Sequence, residues 1–476
     1  MTWSQTGEIS LIPYSQLFFV FNKNAITSST SFTVVFVLLF VIITILYVTN
    51  LGDALTAKQS PTIVTDGTNS TVACNHHFGN LPMIPSFFPD SHEVELHNED
   101  AAFLDNLRQV FSTSKYQNHG TELEAMKAIQ IALKMKDSMK LKKAKRLFEH
   151  ALTLQPLHPE VLNHYAEFLE ENKNDVITAD HLYVKVLILC PNHTRALVNR
   201  TRTMPLVEAR DRKELERIDK KRTDLVTLKH NQSALKRIRK EVYFLHIHHT
   251  LALEGNTMSL SETRAVVETK TTIPGKSIME HNEILGIESA LRYINKTLLN
   301  LSERLTVFDI LEIHKRVLGH VDPLSAGTFR RNQVFVGDYV PPPASEVRYL
   351  MERFVEWLQS DNMKLFHPVK RAAVAHYRLA HIHPFVDGNG RTARLLMNLI
   401  LMKAGYPPVI IRKQDRSMYY NTLQMANEGD VRPFIRFIAH CTECTLDVFL
   451  NAHEYDRPCF KALEPRTNCS NDAISL

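Results

Sequence analysis

Glycine is scarce, with 15 residues in a chain of 476, which excludes a collagen-like or glycine-repeat protein. Cysteine is scarcer still. Six residues, Cys74, Cys190, Cys441, Cys444, Cys459 and Cys469, are too few and too scattered to staple a disulfide scaffold. Charge of one sign is missing too: Lys+Arg 56 against Asp+Glu 51 leaves +5, too little over this length to hold nucleic acid by bulk attraction, so no nucleic-acid partner is expected. No GxxxxGK[ST] phosphate loop occurs. What is present, 44% apolar and 22% charged residues, is ordinary for a chain that buries a core and excludes disorder along the whole length. At roughly one domain per 150 residues, the length predicts about three structural units.

One uncharged run stands out. Thr30–Val48, TSFTVVFVLLFVIITILYV, carries only Ser and Thr as polar interruptions. At about 1.5 Å per residue a helix of this length spans roughly 28 Å, enough for a bilayer core of about 30 Å. A cleaved signal peptide has a shorter apolar part, about 7–15 residues, and a small-residue cleavage site, and no clear A-x-A site follows here. The run is therefore read as an uncleaved anchor. Lys23 before it, with Asp53 and Lys58 cancelling after it, leans toward a cytosolic N-terminus. Sequons at Asn69, Asn192, Asn199, Asn231, Asn295, Asn300 and Asn468 all follow the run, as expected for a single-pass type II protein whose C-terminal portion lies in the secretory pathway.

After a short N-terminus (1–29) and the anchor (30–48), residues 49–118 mix polar residues with Pro61, Gly67, Pro82, Pro85 and Pro89 and read as a stalk. Over 119–200 the pattern turns helical and repeats. Ala144, Leu147, Leu154, Pro156, His158 and Leu162 recur 35 residues later at Ala179, Leu182, Leu189, Pro191, His193 and Leu197. That period is close to the tetratricopeptide unit of about 34 residues, and predicts two helix pairs. Residues 201–240 carry dense mixed charge at helical spacing and read as a solvated connecting helix. From 241 to 455 apolar density rises, in helix-sized segments. The exception is Thr328–Ala344, TFRRNQVFVGDYVPPPA, whose β-branched residues, central Gly337 and terminal prolines predict a short hairpin. Residues 456–476 read as a loosely ordered tail.

The stretch His383–Asn398, HPFVDGNGRTARLLMN, joins two helical patterns, Pro368 to Leu379 and about Arg391 to Ala404. The turn Asp387-Gly388-Asn389-Gly390 opens directly into the second, aiming unpaired N–H groups and the helix dipole at one point, a geometry that suits phosphate. Arg391 and Arg394, three apart, share a helix face and can take two phosphates of a polyphosphate. Asp387 offers a hard oxygen to the Mg²⁺ that accompanies a nucleotide. His383 can act as a general base near neutral pH.

HPFVDGNGRTAR matches every defining position of the Fic motif HPFx[DE]GNGRxxR. With the anchor and the repeats, the chain resembles the animal Fic-domain protein adenylyltransferases over roughly residues 100–455. The resemblance implies an all-α catalytic core with a small β-hairpin flap, preceded by two tetratricopeptide helix pairs and a transmembrane helix. It implies that His383 deprotonates a target hydroxyl for attack on the α-phosphate of ATP, transferring AMP. Asp387 would position Mg²⁺ or Mn²⁺, and Gly388, Asn389, Gly390, Arg391, Thr392, Ala393 and Arg394 would hold the phosphates. Val336-Gly337-Asp338-Tyr339 would form the flap over the nucleotide and align the target segment, and Tyr420 and Asn427 the adenine side. Thr250–Asn256, TLALEGN, fits the inhibitory pattern [S/T]xxxE[G/N]. Glu254 would then take the Arg394 guanidinium away from the γ-phosphate, and could align a water for the reverse reaction, deAMPylation. The implied target is a threonine of the endoplasmic-reticulum chaperone BiP, and the implied location is the endoplasmic-reticulum membrane with a lumenal catalytic domain. Ile278 stands where the family has a leucine at its homodimer contact, a volume-conserving exchange. Asn295 is the glycosylation candidate. Asp338 adds a negative charge beside the phosphate site, without an evident reason.

Two other readings remain open: a Fic enzyme transferring UMP or phosphocholine, and a tetratricopeptide adaptor with an inert Fic remnant. His246, His248 and His249 lie on different helix faces without ligand-spaced partners, and read as packed or solvated rather than metal-binding. Cys441 and Cys444 lie in an amphipathic run and read as core cysteines.

Overall fold

The structure is a computed structural model that describes residues 119–227, 232–300, 304–337 and 339–451. The anchor, stalk and tail assigned from sequence, together with Asp338, Asn69, Asn231 and Asn468, lie outside the described residues. Among the described residues no helix is long and apolar enough to cross a membrane.

The described residues begin with two helical hairpins, α1 (His119–Asp137) with α2 (Leu141–Leu154), and α3 (Pro159–Lys173) with α4 (Val176–Leu189). The 35-residue sequence period has a backbone counterpart. The helices α2 and α4 both end on caps of nearly the same backbone conformation, Gln155 (φ −137°, ψ 75°) and Cys190 (φ −138°, ψ 87°), whose N–H groups donate to Ala151 O and Val186 O. A proline follows each cap, where it cannot continue the helix. The hairpins share an apolar core that includes Ala144, Phe148, Leu162, Phe168, Ala179 and Tyr183.

The long helix α5 (Thr194–Thr227) then lies along the C-terminal helix α15 (Arg432–Leu450). Its mixed charges are not all solvated, as the sequence suggested. Asp211 takes both donors of Arg436 at 2.7 and 2.9 Å, Arg217 grips Glu443 at 2.6 and 2.7 Å, and Lys221 reaches Asp447. The interleaving of signs that argued against nucleic acid is complementarity across a helix seam.

The rest of the chain continues as α6 (Gln232–Ala252), α7 (Leu260–Thr269), α8 (Ile278–Tyr293), α9 (Val307–Leu318), α10 (Val347–Gln359), the short α11 (Asp361–Leu365), α12 (Pro368–Ile382), α13 (Asn389–Lys403) and α14 (Arg416–Asn427) before α15. Starts are written locally: Ser259 with Glu262, Ser277 with Glu280 and Thr306 with Asp309 each form a reciprocal capping box. The core is built around α13, in which every residue from Arg391 to Leu401 is buried. A helix covered on all sides belongs at the centre of a domain, and α6, α9 and α12 pack against this one.

The expected hairpin at Thr328–Ala344 is reduced. One antiparallel bridge, Val336 with Tyr339, is present, its two N–H···O bonds both 3.0 Å, and no strand forms among the described residues. Pro341, Pro342 and Pro343 lack the N–H groups a longer ladder needs.

Five histidines inside this core are held neutral, chiefly by burial: His246, His314 and His381 are pushed down to about 4, and His249 and His376 to about 3. In the unfolded chain each binds a proton near pH 6.5. Their contribution to stability is therefore complete above about pH 6.5 and lost as pH falls toward 4 and 3, at up to about 1.4 kcal/mol per pH unit for each. Thermal unfolding followed between pH 7.5 and 5 is expected to show Tm falling below pH 6.5; a flat Tm across that range would contradict it.

Candidate active site

α12 ends on His383, which adopts a left-handed conformation (φ 50°, ψ 58°) that only a few non-glycine residues tolerate. Its N–H donates to Leu379 O, and its Nδ1 lies 3.2 Å from Ala380 O. A carbonyl can only accept, so Nδ1 carries the hydrogen and Nε2 keeps its lone pair. Burial, offset in part by the Ala380 bond, lowers the pKa of His383 below its ordinary value. The ring is thus neutral at pH 7 with a basic nitrogen available.

The loop that follows is tied at several points. Asn389 spends its amide on Phe385, accepting from Phe385 N and donating to Phe385 O, both 2.9 Å. Its side chain shapes the turn, and its backbone N–H is what faces outward. His314 on α9 accepts from Gly327 N at 3.0 Å through Nδ1, which leaves its Nε2–H to donate to Asp387 O at 2.9 Å. Its ring stacks on Phe385 with centroids 3.6 Å apart. Gly388 caps α13 at φ 77°, where a side chain would be strained. The first N–H of α13 to find a helical acceptor is that of Thr392, which bonds Gly388 O at 2.9 Å. Those of Asn389, Gly390 and Arg391 precede it and point out of the helix end.

Charge surrounds this end. Arg391 is almost fully buried and donates to Asp387 Oδ2 (2.6 Å) and Glu283 Oε1 (3.3 Å), while its Nε has no partner among the described residues. The carboxyl of Asp387 would rise on burial, but Arg391 and the Gly388 amide outweigh this and hold it below its ordinary range. It is therefore ionised at neutral pH, and its side chain is 62% exposed. A single accessible carboxylate beside a phosphate site fits Mg²⁺, which takes one or two carboxylates plus substrate phosphates.

Arg394 lies one turn further along α13, with its side chain 3% exposed. Nε donates to Thr250 Oγ1 (2.8 Å), Nη1 to Tyr419 Oη (3.2 Å), and Nη2 to Thr250 O (2.9 Å) and to Glu254 Oε1 (2.6 Å). Glu254 also accepts from Tyr420 Oη at 3.4 Å. Burial raises the Glu254 carboxyl, but the Arg394 charge and bond prevail and keep it ionised. Gly390 makes the approach possible: a Cβ there would stand 2.5 Å from Glu254 Oε1 and 3.0 Å from Arg394 Nη1.

The structure thus gathers Glu254, Asp387, Gly388, Gly390, Arg391, Arg394 and Tyr420 around one helix end. Thr392 and Ala393 are buried in α13 itself. Asn427 closes α14, with its Oδ1 3.3 Å from His381 Nδ1. The flap residues Val336, Gly337 and Tyr339 form a turn whose Tyr339 Oη donates to His381 O at 2.9 Å. Ile278 stands apart at the start of α8, 75% exposed, and Asn295 is exposed on the π turn Ile294–Leu298.

Arg330 was not found from sequence. Buried, it donates to His383 O (2.7 Å), Pro342 O (2.5 Å), Asn332 O (3.1 Å) and Ile382 O (3.5 Å), and its N–H donates to Pro384 O (2.9 Å). It fastens the flap to the backbone that carries His383. An arginine beside another in a loop reads as solvated, so no local signal marked it. Tyr419 and Glu283 were also missed. Among the described residues no cluster of His, Cys, Asp and Glu is arranged to hold a metal by itself. Cys441 is buried, and burial pushes its thiol well up, as befits a core residue.

Among the described residues the fold is all-helical, and the site is the N-terminus of a buried helix with two arginines paired to carboxylates and a neutral histidine on the adjoining loop. Residues 304–401 match the Fic/DOC family. The chain is 57% identical over 329 residues to a protein adenylyltransferase Fic of Aedes aegypti, a match that spans 69% of this chain and 66% of that protein, just under two-thirds of its length. A protein of the same name from Drosophila willistoni is 50% identical over 375 residues, 76% of this chain and 75% of that one. The solved structure of Fic-1 from C. elegans aligns with a TM-score of 0.65 at 42% identity, covering 69% of this chain and 98% of that one. The chain belongs to the Fic/DOC family.

Proposed function

We propose that this protein is an adenylyltransferase that moves AMP from ATP to a hydroxyl of a protein target, as the names of its insect relatives suggest. The observation that carries the reading is the 2.6 Å pair between Arg394 and Glu254 at the N-terminus of α13, an anion site already filled by an internal anion. His383 Nε2 takes the proton of the target hydroxyl. The freed oxygen attacks the α-phosphorus, the bond to the β-phosphate oxygen breaks, and pyrophosphate leaves. The outward N–H groups of α13 and the guanidinium of Arg391 stabilise the charge that shifts onto the phosphates. Asp387 would hold Mg²⁺ or Mn²⁺ with the nucleotide phosphates, and that ion would supply charge neutralisation. Tyr420 and Asn427 border the adenine.

With Glu254 on Arg394, the γ-phosphate has no receptor and transfer is suppressed. The same carboxylate can take a proton from a water, which attacks the α-phosphorus of an AMP–threonine linkage, while His383, once Nε2 has bound a proton from solvent, gives that proton to the departing threonine oxygen. DeAMPylation is therefore the second activity of the resting state. We propose BiP as the target, with the two N-terminal hairpins acting as tetratricopeptide units that hold it, and the endoplasmic-reticulum membrane as the location. Exposed Ile278 and its neighbour Met279 suit a homodimer contact, which sedimentation of an Ile278→Asp variant checks: it should run as a monomer.

Purified protein incubated with BiP, ATP and Mg²⁺ should add the mass of AMP to a threonine of the target. A different adduct from UTP or CDP-choline would favour another phosphoryl-linked transfer, and no adduct from any donor would favour an adaptor role. The location fails if alkaline carbonate releases the full-length protein from microsomes.

A further inference from the structure

The grip on Arg394 is uneven in a way that assigns work to two residues behind it. Glu254 is 30% exposed and can leave, whereas the guanidinium it touches is 3% exposed and is held by three other acceptors, Thr250 Oγ1, Thr250 O and Tyr419 Oη. Thr250 reaches Nε and Nη2, so Tyr419 is the fixed partner of Nη1. A hydroxyl can face a cation only if its own hydrogen points elsewhere. The Tyr419 oxygen lies 3.0 Å from His376 Nε2, and His376 is completely buried on α12. If His376 donated to Tyr419, the phenol hydrogen would have no acceptor among the described residues. If Tyr419 donates to His376, its lone pairs are left for Arg394. The second arrangement satisfies both groups of Tyr419 and needs a neutral ring with Nε2 unprotonated. Burial and the nearby Arg394 charge both keep His376 neutral. The cost is borne at Nδ1, which has no partner among the described residues. The ring is wedged against Phe434 (centroids 5.0 Å) and edge-on to Tyr419 (5.7 Å), which limits its rotation.

We propose that His376 and Tyr419 form a positioning relay that orients Arg394 as a standing receptor for the terminal phosphate of ATP, so that the switch between resting and active states exchanges the anion and leaves the guanidinium in place. This rests on the reading of Arg394 as the γ-phosphate receptor. Neither residue touches the reacting atoms. Their effect should appear only for a nucleotide that has a third phosphate.

The test measures ATP and ADP binding by calorimetry with Mg²⁺, in a Glu254→Gly background so that Arg394 is open. Arg394→Ala should abolish the preference for ATP over ADP. Tyr419→Phe should reduce that preference about tenfold, the effect of losing one hydrogen bond to a charged group, and leave ADP affinity unchanged. His376→Leu should act in the same direction. His376→Gln, whose Oε1 stands near the place of Nε2, should restore the preference. If Tyr419→Phe keeps the full preference while Arg394→Ala loses it, or if His376→Gln behaves as His376→Leu does, the relay is wrong. If Arg394→Ala itself keeps the preference, the phosphate reading fails and the relay with it. Loss of ADP and ATP binding together in Tyr419→Phe and His376→Leu would also overturn it, because that is general damage to the site.

Discussion

Replacing His383 with alanine is expected to reduce AMP transfer by roughly 10²–10⁴-fold, the usual contribution of a positioned general base, and to stop deAMPylation as well. The expectation follows from the ring's setting. Ala380 O takes the Nδ1 hydrogen, burial keeps the ring neutral, and Arg330 holds the left-handed backbone through the carbonyls of His383 and Pro384. One nitrogen, Nε2, is left free to serve the proposed transfer as base and, after binding a proton, the proposed hydrolysis as acid. The variant should fold, because His383 belongs to no apolar core cluster and Arg330 still bonds the backbone here, against the modest strain that alanine meets at φ 50°. Transfer of radiolabel from α-labelled ATP that is unchanged in His383→Ala would refute the role.

Glu254→Gly should act in opposite senses on the two reactions. Removing the carboxylate frees Nη2 of Arg394, which keeps its bonds to Thr250 and Tyr419 and is ready for phosphate. A hydrogen bond to a charged group contributes about 1.5–3 kcal/mol, so release of this one should speed transfer by about 10–100-fold. Hydrolysis of the AMP–threonine linkage should vanish, since among the described residues the neighbouring carboxylates are engaged elsewhere: Asp387 is tied to Arg391, and Glu283 to Arg391 and Asn256. Initial rates of label transfer and of label release from pre-modified target measure both at once. Transfer no faster than that of the unaltered protein would sink the inhibitory pairing.

These predictions rest on contacts of different sequence range. The turn from His383 to Arg394 was legible because its parts are contiguous and their roles are backbone roles: glycines for close approach, a helix start, two arginines one turn apart. The pairing of Glu254 with Arg394, separated by 140 positions, was legible only because each lies in a recognisable pattern. Arg330, Tyr419 and His376 had no such mark. An arginine in a loop, a tyrosine beside another tyrosine and a histidine on an apolar helix look the same in a string whether they face solvent or a buried guanidinium. The expected hairpin shows the opposite error. Val334, Val336 and Val340 have strand propensity, but propensity does not supply a partner, and the prolines that follow cannot extend a ladder beyond the bridge of Val336 and Tyr339.

What the amino-acid order alone determined was local: where helices start and stop, the 35-residue echo of one hairpin in the next, and a glycine-bearing turn that opens a helix with a histidine before it. Capping residues, prolines and glycines act within a few positions of themselves, so a linear reading captures them. Which charges are spent on helix seams, which histidine is held to a single tautomer, and that a buried guanidinium is gripped on one side while its carboxylate can leave on the other were decided only when distant segments packed. Burial sets the strength of a charge and the direction of a hydrogen, and burial is a property of the folded whole.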